Sequence, residues 1–381
     1  MSMSNVNGGY GSESAEGVSE RQAAEGVSES IVRPLLNWYR DNYRRLPWRE
    51  DTDPYHVWIS EIMLQQTRIE AVIPYYLRFT EQLPDIRALS LCGEERLLKL
   101  WEGLGYYSRA RNLKKSAGVL CETNGGRMYD SYDMILTLPG IGPYTAGAIA
   151  SISFGQAVPA VDGNVLRVAA RLEADRGNIL DSAAAGRLGN KVSGIIPEDA
   201  PGDFNQALME LGETICLPKD KPECGDCPLS AYCRWFGSGF DGQIPVREKK
   251  AERKQQRLTV FVITDGERVM IRQRPGKGLL AGMYEFPCQE GWTGREEAER
   301  RVTAMGFQVQ EIRTLKEVKH VFTHIEWRMK GYLVFVRSTC ISAGADDLLA
   351  VFPEQLKDEY AVPAAFGKIF TEVQKVINDA E

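Results

Sequence analysis

The chain has 381 residues, with 46 Lys and Arg against 52 Asp and Glu, and a formal net charge of −6. This length is enough for two domains with separate cores. No run of about eighteen apolar residues is present, so we expect no membrane-spanning helix. The N-terminus lacks the basic segment and apolar stretch of a secretory signal. We therefore expect a cytoplasmic protein with no membrane partner.

The net charge hides a basic middle section. Residues 1–30 carry five acids against one arginine, and residues 343–381 carry eight acids against three lysines. The remaining residues, 31–342, have a formal charge of +3. A mildly basic body can present a basic face to phosphates, so the acidic total does not exclude a nucleic-acid partner.

Residues 1–30 are rich in Gly, Ser, Glu and Asn and contain the hexapeptide Ala-Glu-Gly-Val-Ser-Glu twice. This composition cannot bury enough apolar surface to fold and predicts a disordered tail. In 31–236, apolar residues recur every three or four positions, which predicts a helical domain. Residues 237–257 contain Gly-Ser-Gly, a proline and a basic run, and are predicted to be a linker.

The final segment, 258–381, changes from a helical period to a period of two. This alternation predicts one hairpin from 258–264 and 268–272 and a second from 316–327 and 332–336. Helices are expected near 295–304 and 363–378. The segment is therefore predicted to be a small α+β domain.

In the helical region, Asp53 followed by Pro54 predicts a helix start with the aspartate as N-cap. This helix contains Glu61 between Ile59 and Ile62. Apolar surroundings raise the pKa of a glutamate, so it can hold a proton at neutral pH and act as a general acid. On residue type alone, a surface glutamate is the simpler interpretation.

The segment Leu138-Pro139-Gly140-Ile141-Gly142-Pro143-Tyr144-Thr145-Ala146 lies between two helical patterns. Its glycines allow a sharp turn and a close approach to a ligand, and its second proline favours a helix start. Free amides at a helix N-terminus bind phosphate. The pattern predicts a phosphate-binding hairpin, although an ordinary helix-connecting turn can also contain Pro-Gly.

Asp162 precedes the helical run Val165 to Leu172. A carboxylate at a helix N-cap is kept ionised by the helix end, and such an anion can stabilise a developing positive charge. An ordinary helix cap is the alternative interpretation.

Four cysteines lie within eighteen residues in an otherwise cysteine-poor chain: Cys216, Cys224, Cys227 and Cys233. Their spacing favours a 4Fe–4S cluster, because a zinc site is expected to have two C-x2-C pairs or added histidines. Zinc and a disulfide pair remain open. The other cysteines are predicted to be buried apolar side chains: Cys92, Cys121, Cys288 and Cys340.

The order of these motifs from residue 31 to about 235 resembles the helix-hairpin-helix DNA glycosylases related to endonuclease III. Many members of that superfamily carry a 4Fe–4S cluster. Their usual cysteine spacing is C-x6-C-x2-C-x5-C, whereas the first gap here is seven residues. The loop 217–223 must therefore absorb one additional residue.

Tyr144 and Glu61 narrow the resemblance. Relatives that also cut the DNA backbone have a lysine at the position of Tyr144, because an amine must attack the sugar to form a Schiff base. The tyrosine therefore implies a monofunctional enzyme. Glu61, within Ser60-Glu61-Ile62-Met63-Leu64-Gln65-Gln66-Thr67, is similar to the acid of adenine DNA glycosylases of the MutY type.

The resemblance implies roles for four catalytic residues. Glu61 would protonate a ring nitrogen of adenine, and Asp162 would stabilise the cation on deoxyribose or bond to it transiently. Tyr144 would lie near the sugar, and Asn164 would hold the aspartate. The base pocket implied by the resemblance contains Leu46, Trp48, Arg49 and Gln206. The residues implied at the DNA and the lesion are Gln66, Thr67, Leu104, Tyr106, Gly140 and Gly142.

The C-terminal segment resembles the Nudix-like module with which MutY proteins recognise 8-oxoguanine. Phe322, Thr323 and His324 stand where that module usually has Phe-Ser-His, and threonine keeps the hydroxyl. Cys288 stands where a Nudix hydrolase has a metal-binding glutamate, which implies recognition without hydrolysis. His324 as a core histidine remains open.

The predicted fold is a mainly α helix-hairpin-helix glycosylase domain with a cluster loop at 216–233, joined to a C-terminal α+β Nudix-like domain. The predicted function is removal of adenine opposite 8-oxoguanine or guanine in double-stranded DNA, leaving an abasic site, by a monomer in the cytoplasm, or at the nucleoid in a bacterium. The cluster is expected to be structural and to hold Lys219, Lys221 and Arg234 against DNA phosphates. The alternatives are a thymine or uracil mismatch glycosylase, an iron-sulfur electron carrier and a Nudix-type nucleotide hydrolase.

Overall fold

The computed structural model of the protein describes residues 25–218, 222–240, 242–247, 253–322, 324–337 and 347–378. Most of the predicted tail lies outside this range, as do Lys219, Lys221, Thr323 and Cys340. None of the helices described is both long and apolar enough to span a membrane.

Fifteen α-helices are formed by the described residues. In chain order they are α1 Val32–Asn42, α2 Pro54–Leu64, α3 Ile69–Gln82, α4 Ile86–Leu91, α5 Glu94–Leu100, α6 Ser108–Asn124, α7 Tyr132–Leu136, α8 Pro143–Phe154, α9 Gly163–Glu173, α10 Ser182–Ser193, α11 Pro201–Thr214, α12 Arg234–Gly237, α13 Arg295–Ala304, α14 Pro353–Asp358 and α15 Ala364–Asn378. Short 3-10 turns occur at Glu29–Ile31, Pro47–Arg49 and Ser230–Tyr232.

The strands of the described residues all lie after residue 253. They are β1 Lys254–Thr264, β2 Val269–Gln273, β3 Tyr284–Glu285, β4 Cys288–Glu290, β5 Val309–Thr314, β6 Val318–Val321, β7 Ile325–Val336 and β8 Leu348–Val351. Before that residue, Asn178 and Val246 form an isolated bridge. The change from a helical period to a period of two therefore corresponds to a change from helices to a sheet.

Contacts divide the chain into two compact units with boundaries at residues 44, 154 and 248. Unit 1 contains residues up to 44 together with 155–248, and unit 2 contains 45–154 together with 249–381. This grouping is not linear in sequence, because unit 2 combines part of the helical region with the C-terminal sheet.

The core of unit 1 is built by the apolar faces of α1, α9, α10 and α11. In α9, Val165, Val168, Ala169 and Leu172 are buried, which is the spacing of one helix face. They pack in the same cluster as Phe204 of α11. Because α9 is packed into this core, its first turn, which follows Asp162, is held in place.

In the helical part of unit 2, α2 packs against α8. Helix α2 begins as predicted, with Pro54 in its first turn and the Asp53 side chain accepting the Tyr55 N–H at 2.7 Å. Helix α8 is buried from Thr145 to Ser151 and is rich in Ala and Gly. Small side chains allow the backbones of neighbouring helices to approach closely, so residues at the start of α8 can reach those of α2.

The sheet of unit 2 has the central order β3-β2-β1-β7-β5, with β4 against β1, β6 against β7 and β8 against β2. Strands β1 and β7 are parallel, from Lys254 opposite Ile325 to Thr264 opposite Phe335. One face packs on α14 and α15 and the other on α13. A sheet between helices confirms the predicted α+β class.

The position predicted for the turn of the second hairpin is wrong. We expected the strands to be 316–327 and 332–336, but β7 runs without a break through residues 328–331, and the two paired strands are β6, which ends at Val321, and β7, which begins at Ile325. Trp327 and Met329 point into the core while Arg328 and Lys330 are less buried, so the period of two continues through the polar residues. The glycine at 331 lies against Leu315 and does not mark a turn.

Candidate active site, cysteine cavity and DNA-contacting loops

Glu61 lies in the third turn of α2 and is buried, with 7% of its surface exposed. The Tyr144 hydroxyl, in the first turn of α8, donates a hydrogen bond to Glu61 Oε2. A second contact joins the same two helices, from Gln65 Nε2 to Thr145 Oγ1 at 3.5 Å. The structure therefore brings together two residues that the sequence singled out and that lie far apart in the chain. The surface position considered for Glu61 is excluded.

Asp162 caps α9, as the sequence predicted. Its Oδ1 accepts the N–H groups of Asn164 at 2.9 Å and Val165 at 2.8 Å. Burial nevertheless raises the pKa of Asp162 above its ordinary value, and it outweighs the two amides and nearby Arg167, which act to lower the pKa. We expected the helix end to control the charge, but desolvation has the larger effect because the carboxyl is buried as well as capped.

Asn164 contacts Asp162 through its backbone, and its side chain bonds elsewhere. The side-chain amide donates to Glu213 Oε1 at 2.8 Å, and Oδ1 accepts from Arg167 Nη2 at 3.0 Å. We predicted that the Asn164 side chain would hold Asp162, but instead it takes part in a hydrogen-bond network that joins α9 to α11. Gly212 allows this packing, since a Cβ there would lie 2.7 Å from the Asn164 Cβ.

Arg167 is a buried member of this network that the sequence reasoning missed. It is 4% exposed and donates to the carbonyls of Gly212 at 2.7 Å and Cys216 at 2.8 Å. Burial lowers the pKa of its guanidinium. In sequence it resembles any helix-surface arginine, and its partners are carbonyls on another helix and loop, so no local pattern identifies it.

The hairpin between α7 and α8 is open to solvent at its glycines. Gly140 has φ +77°, a conformation that favours glycine, and the side chain of Asn112 lies against its Cα. No atom lies near the position of a Cβ on Gly142. Gly140, Gly142 and Pro143 are all exposed, so the first amides of α8 are accessible to a ligand.

Gln66 and Tyr106 form the second exposed feature of unit 2. Both are non-glycine residues with positive φ, 62° and 47° respectively. The Tyr106 hydroxyl donates to Gln66 Oε1 at 2.6 Å, and Tyr106 is 44% exposed. Thr67 follows in the same turn, whereas Leu104 is buried. Leu104 can therefore support the loop, but it does not present its side chain to solvent.

The predicted base-pocket residues lie in both units. In unit 2, Leu46 and Trp48 are buried and Arg49 is half-buried, with Trp48 edge-on to Tyr76 at 5.4 Å. In unit 1, Gln206 is half-buried on α11. Their residue types suit a flat heteroaromatic ligand, which requires apolar walls and a few polar groups.

The four clustered cysteines line one cavity of unit 1, together with Arg171 and Trp235. Arg171 Nη1 donates to Cys216 Sγ at 3.3 Å, and Cys233 Sγ donates to the Arg171 carbonyl at 3.3 Å. Burial raises the pKa of the Cys227 thiol to about 12. All four thiols are free, which excludes the disulfide pair. Arg234, expected at DNA phosphates, instead pairs with Glu173 at 2.9 Å.

The cavity also tests the zinc alternative. Tetrahedral zinc with bonds of about 2.3 Å requires its sulfurs to converge to about 3.8 Å from one another. Within the described residues, no three Cys, His, Asp or Glu side chains are arranged to hold a single metal ion. The four thiols line one cavity, and four cysteine thiolates are the usual ligand set of a 4Fe–4S cluster.

The predicted lesion-reading loop lies between β6 and β7. The Phe322 ring packs edge-on against His320 at 4.6 Å and Trp327 at 4.9 Å. His324 is exposed, so it is not a core histidine. Thr323, between them, lies outside the described residues.

Cys288, the first residue of β4, contacts Glu285. Glu285 also forms an ion pair with Arg272 at 2.9 Å.

Known proteins resemble both parts of the chain. The model for the HhH-GPD superfamily of base excision DNA repair proteins matches residues 59–191, and the NUDIX domain model matches 259–372. The thermostable thymine-DNA glycosylase whose structure has been solved is 29% identical, with a TM-score of 0.50, over 55% of this chain and 96% of that one. These matches confirm the predicted fold class.

Two relatives match most of the chain. An adenine DNA glycosylase of Arabidopsis thaliana is 35% identical over 88% of this chain, which spans 61% of that protein's length. An adenine DNA glycosylase of Buchnera aphidicola subsp. Acyrthosiphon pisum is 42% identical over 79% of this chain and 85% of its own length. With such identity over nearly the whole of a relative, the chain belongs to the adenine DNA glycosylase family.

Proposed function

We propose that this protein hydrolyses the N-glycosidic bond of adenine mispaired with 8-oxoguanine or guanine in double-stranded DNA and leaves an abasic site. The observation that carries the proposal is the buried Glu61 carboxyl held by the Tyr144 hydroxyl. Adenine is a poor leaving group until a ring nitrogen is protonated, and a carboxylic acid positioned beside the base can supply that proton.

Glu61 acts twice in the proposed reaction. Its proton passes to N7 of adenine as the bond between N9 and C1′ breaks, so the base leaves neutral and the positive charge remains on the sugar. The resulting Glu61 carboxylate then accepts a proton from the water that attacks C1′. Tyr144 orients the carboxyl through its hydrogen bond. A phenol cannot form a Schiff base with the sugar, so no strand cleavage accompanies base release.

Asp162 stabilises the sugar cation in this proposal, or bonds to it transiently. Its Oδ1 is fixed by two backbone amides at the start of α9, so it is oriented before substrate binds. A buried anion attracts a nearby cation more strongly than an exposed one, because water does not screen it. The hydrogen-bonded network of Arg167, Asn164 and Glu213 keeps this helix turn in place.

DNA contacts are assigned to exposed backbone and to the strained loops. The open amides around Gly140 and Gly142 bind a phosphate, and Gln66 with Tyr106 inserts into the stack beside the lesion, with Thr67 and Leu104 next to them. Contact with the extruded adenine is assigned to the residues that the family resemblance implies: Leu46, Trp48, Arg49 and Gln206. Apolar side chains with a few polar groups are typical of sites that bind flipped bases.

The cysteine cavity holds a 4Fe–4S cluster in this proposal, ligated by Cys216, Cys224, Cys227 and Cys233. The cluster supplies a rigid inorganic cross-link between parts of the loop. Arg171 donates a hydrogen bond to Cys216 Sγ, one of the four proposed ligand atoms. No proton transfer of the glycosylase reaction needs the iron, so the assigned role is structural.

Recognition of the opposite base is assigned to Phe322, Thr323 and His324. Replacing Phe322 with Ala should reduce the preference for adenine opposite 8-oxoguanine over adenine opposite guanine by about tenfold, the size of one well-packed aromatic contact. Single-turnover rates on the two duplexes measure the ratio. Leu349→Ala, at an exposed apolar residue of β8, is the control. An unchanged ratio for Phe322→Ala would remove the recognition role from this loop.

The proposed function is tested with a duplex that carries one adenine opposite 8-oxoguanine. Purified protein should release adenine, and the strand should break only after hot alkali, which cleaves at abasic sites. Strand cleavage without alkali would contradict a monofunctional reaction. No release of adenine under single-turnover conditions would contradict the function itself.

A mismatch glycosylase that removes thymine opposite guanine is the second candidate, because the similar solved structure is of a thymine-DNA glycosylase. A duplex with thymine opposite guanine, run beside the adenine substrate, separates the two. Faster thymine release would favour this second function. The proposed function requires faster release of adenine.

A further inference from the structure

Two strained residues of unit 2 are joined by a hydrogen bond, and the half-buried Arg109 contacts the loops that carry them. Gln66 and Tyr106 both have left-handed backbones, which side chains other than glycine rarely adopt. Such conformations persist only where the surrounding structure enforces them. The hydrogen bond between the two side chains stabilises part of this arrangement, but other contacts must hold their backbones in the left-handed conformation.

Arg109, in the first turn of α6, contacts the chain just before each strained residue. Its Nη1 donates to the carbonyl of Gln65 at 2.8 Å, and also to that of Ile62 at 2.6 Å. Its Nη2 donates to the carbonyl of Gly105 at 3.3 Å, and also to that of Leu104 at 3.1 Å. One guanidinium therefore joins the end of α2 to the loop before α6.

The aromatic rings around Arg109 restrict the guanidinium further. Its centre lies 5.5 Å from the Trp101 ring centroid and 5.5 Å from the Tyr106 ring centroid. Burial lowers the pKa of Arg109 to about 10, which leaves it charged at neutral pH. A planar cation can stack on rings and bond in two directions at once, whereas a lysine ammonium cannot do both.

We propose that Arg109 is a positioning residue that pre-organises the Gln66–Tyr106 pair for insertion into DNA. The inference rests on the proposed function, in which this pair enters the stack. Arg109 itself does not contact the reacting atoms. It fixes the two loops in the conformation required on binding, so that little conformational entropy is lost when the pair inserts.

The test compares Arg109→Lys with the matched variant Arg78→Lys. Arg78 also bonds a carbonyl, that of Leu100 at 3.4 Å, and lies 4.9 Å from a tyrosine ring, but it contacts neither loop. The readout is the fluorescence of 2-aminopurine placed beside the adenine in a duplex with 8-oxoguanine, which increases when the stack opens. Thermal unfolding of each variant is measured in parallel.

Arg109→Lys should lower the equilibrium constant for stack opening by about tenfold or more, the equivalent of one hydrogen bond to a charged group. Arg78→Lys should leave it unchanged. If both variants unfold at the same temperature and both open the stack as the unmodified protein does, the inference is overturned. An equal loss in both variants would also overturn it, because the effect would then be general.

A double-mutant cycle separates this inference from the proposed function. In a background that carries both Gln66→Ala and Tyr106→Ala, Arg109→Lys should cause little further loss, because both side chains that it positions are already absent. Full additivity would mean that Arg109 acts by another route and would overturn the inference. If Tyr106→Ala alone leaves stack opening unchanged, the assignment of Tyr106 to insertion in the proposed function fails instead.

Discussion

Glu61 in unit 2 and Asp162 in unit 1 are the same chemical group in two different surroundings. The Glu61 carboxyl lies among the buried residues of α2 and receives a hydrogen bond from a side-chain hydroxyl. The Asp162 carboxyl belongs to a half-buried residue and receives two backbone amides at a helix end, with Arg167 nearby. The difference lies in which donors face each carboxyl, because backbone amides favour the ionised form.

Among the variants that test this comparison, Glu61→Gln should have the largest effect on the rate of adenine release. The amide has the same shape but cannot transfer a proton, so single-turnover release of adenine should fall about a hundredfold to ten-thousandfold. Binding to the duplex, measured by fluorescence anisotropy, should change little. Substantial remaining activity would contradict the role of Glu61 as general acid.

Asp162→Asn should reduce single-turnover release by about a hundredfold to a thousandfold, because the anion that stabilises the sugar cation is lost. The amide oxygen can still accept the hydrogen bonds of the cap, so α9 should remain intact. Circular dichroism checks this. Activity close to that of the unmodified protein would mean that Asp162 is an ordinary helix cap.

The pKa of Asp162 gives the same variant a second, pH-dependent effect. Burial raises the pKa of Asp162 in the folded state, so at a pH above that pKa the ionised carboxylate lowers the free energy of unfolding. As the pH falls through the folded-state pKa, the carboxyl is protonated and this destabilisation disappears. Asp162→Asn should therefore be at least as stable as the unmodified protein at pH 8, with the advantage narrowing toward pH 4. Thermal unfolding at several pH values measures this. A less stable variant at pH 8 would mean that the capping bonds outweigh desolvation.

Tyr144→Phe tests the hydrogen bond that Glu61 receives, and it should have the smallest effect on the rate of adenine release. It removes the hydroxyl bonded to Glu61 Oε2 but keeps the ring, so release should slow by about tenfold to a hundredfold. Tyr129→Phe, at an exposed tyrosine bonded to Thr123, is the control. Equal rates for Tyr144→Phe and the unmodified protein would leave Tyr144 without a role in catalysis.

The sequence predicted those features that depend on local chemistry. The caps at Asp53 and Asp162, the helix start at Pro143 and the change from helices to strands all follow from residue type and period, although β1 begins at Lys254, within the predicted linker 237–257, and not at residue 258. The pairing of Glu61 with Tyr144 is not local, and only the resemblance to a family brought the two residues together.

Other features depend on burial and on distant partners, and these could not be predicted from one sequence. Arg109 and Arg167 are arginines on helices, a pattern that usually indicates a solvated face. Their partners are carbonyls on separate elements, which no spacing encodes. The pKa of Asp162 moves in the unexpected direction for the same reason, because the extent of desolvation is known only once the fold is known.

The parallel pairing of β1 with β7 has a consequence for synthesis on the ribosome. The buried segment of β1 from Thr259 to Thr264 lies early in its domain, yet its central partner is the much later Tyr332–Phe335 region. Until the ribosome has released β7, this apolar strand has an unpaired edge, the arrangement most prone to aggregate with other nascent chains. We therefore expect a nascent chain that has not yet reached β7 to benefit from a chaperone that shields β1.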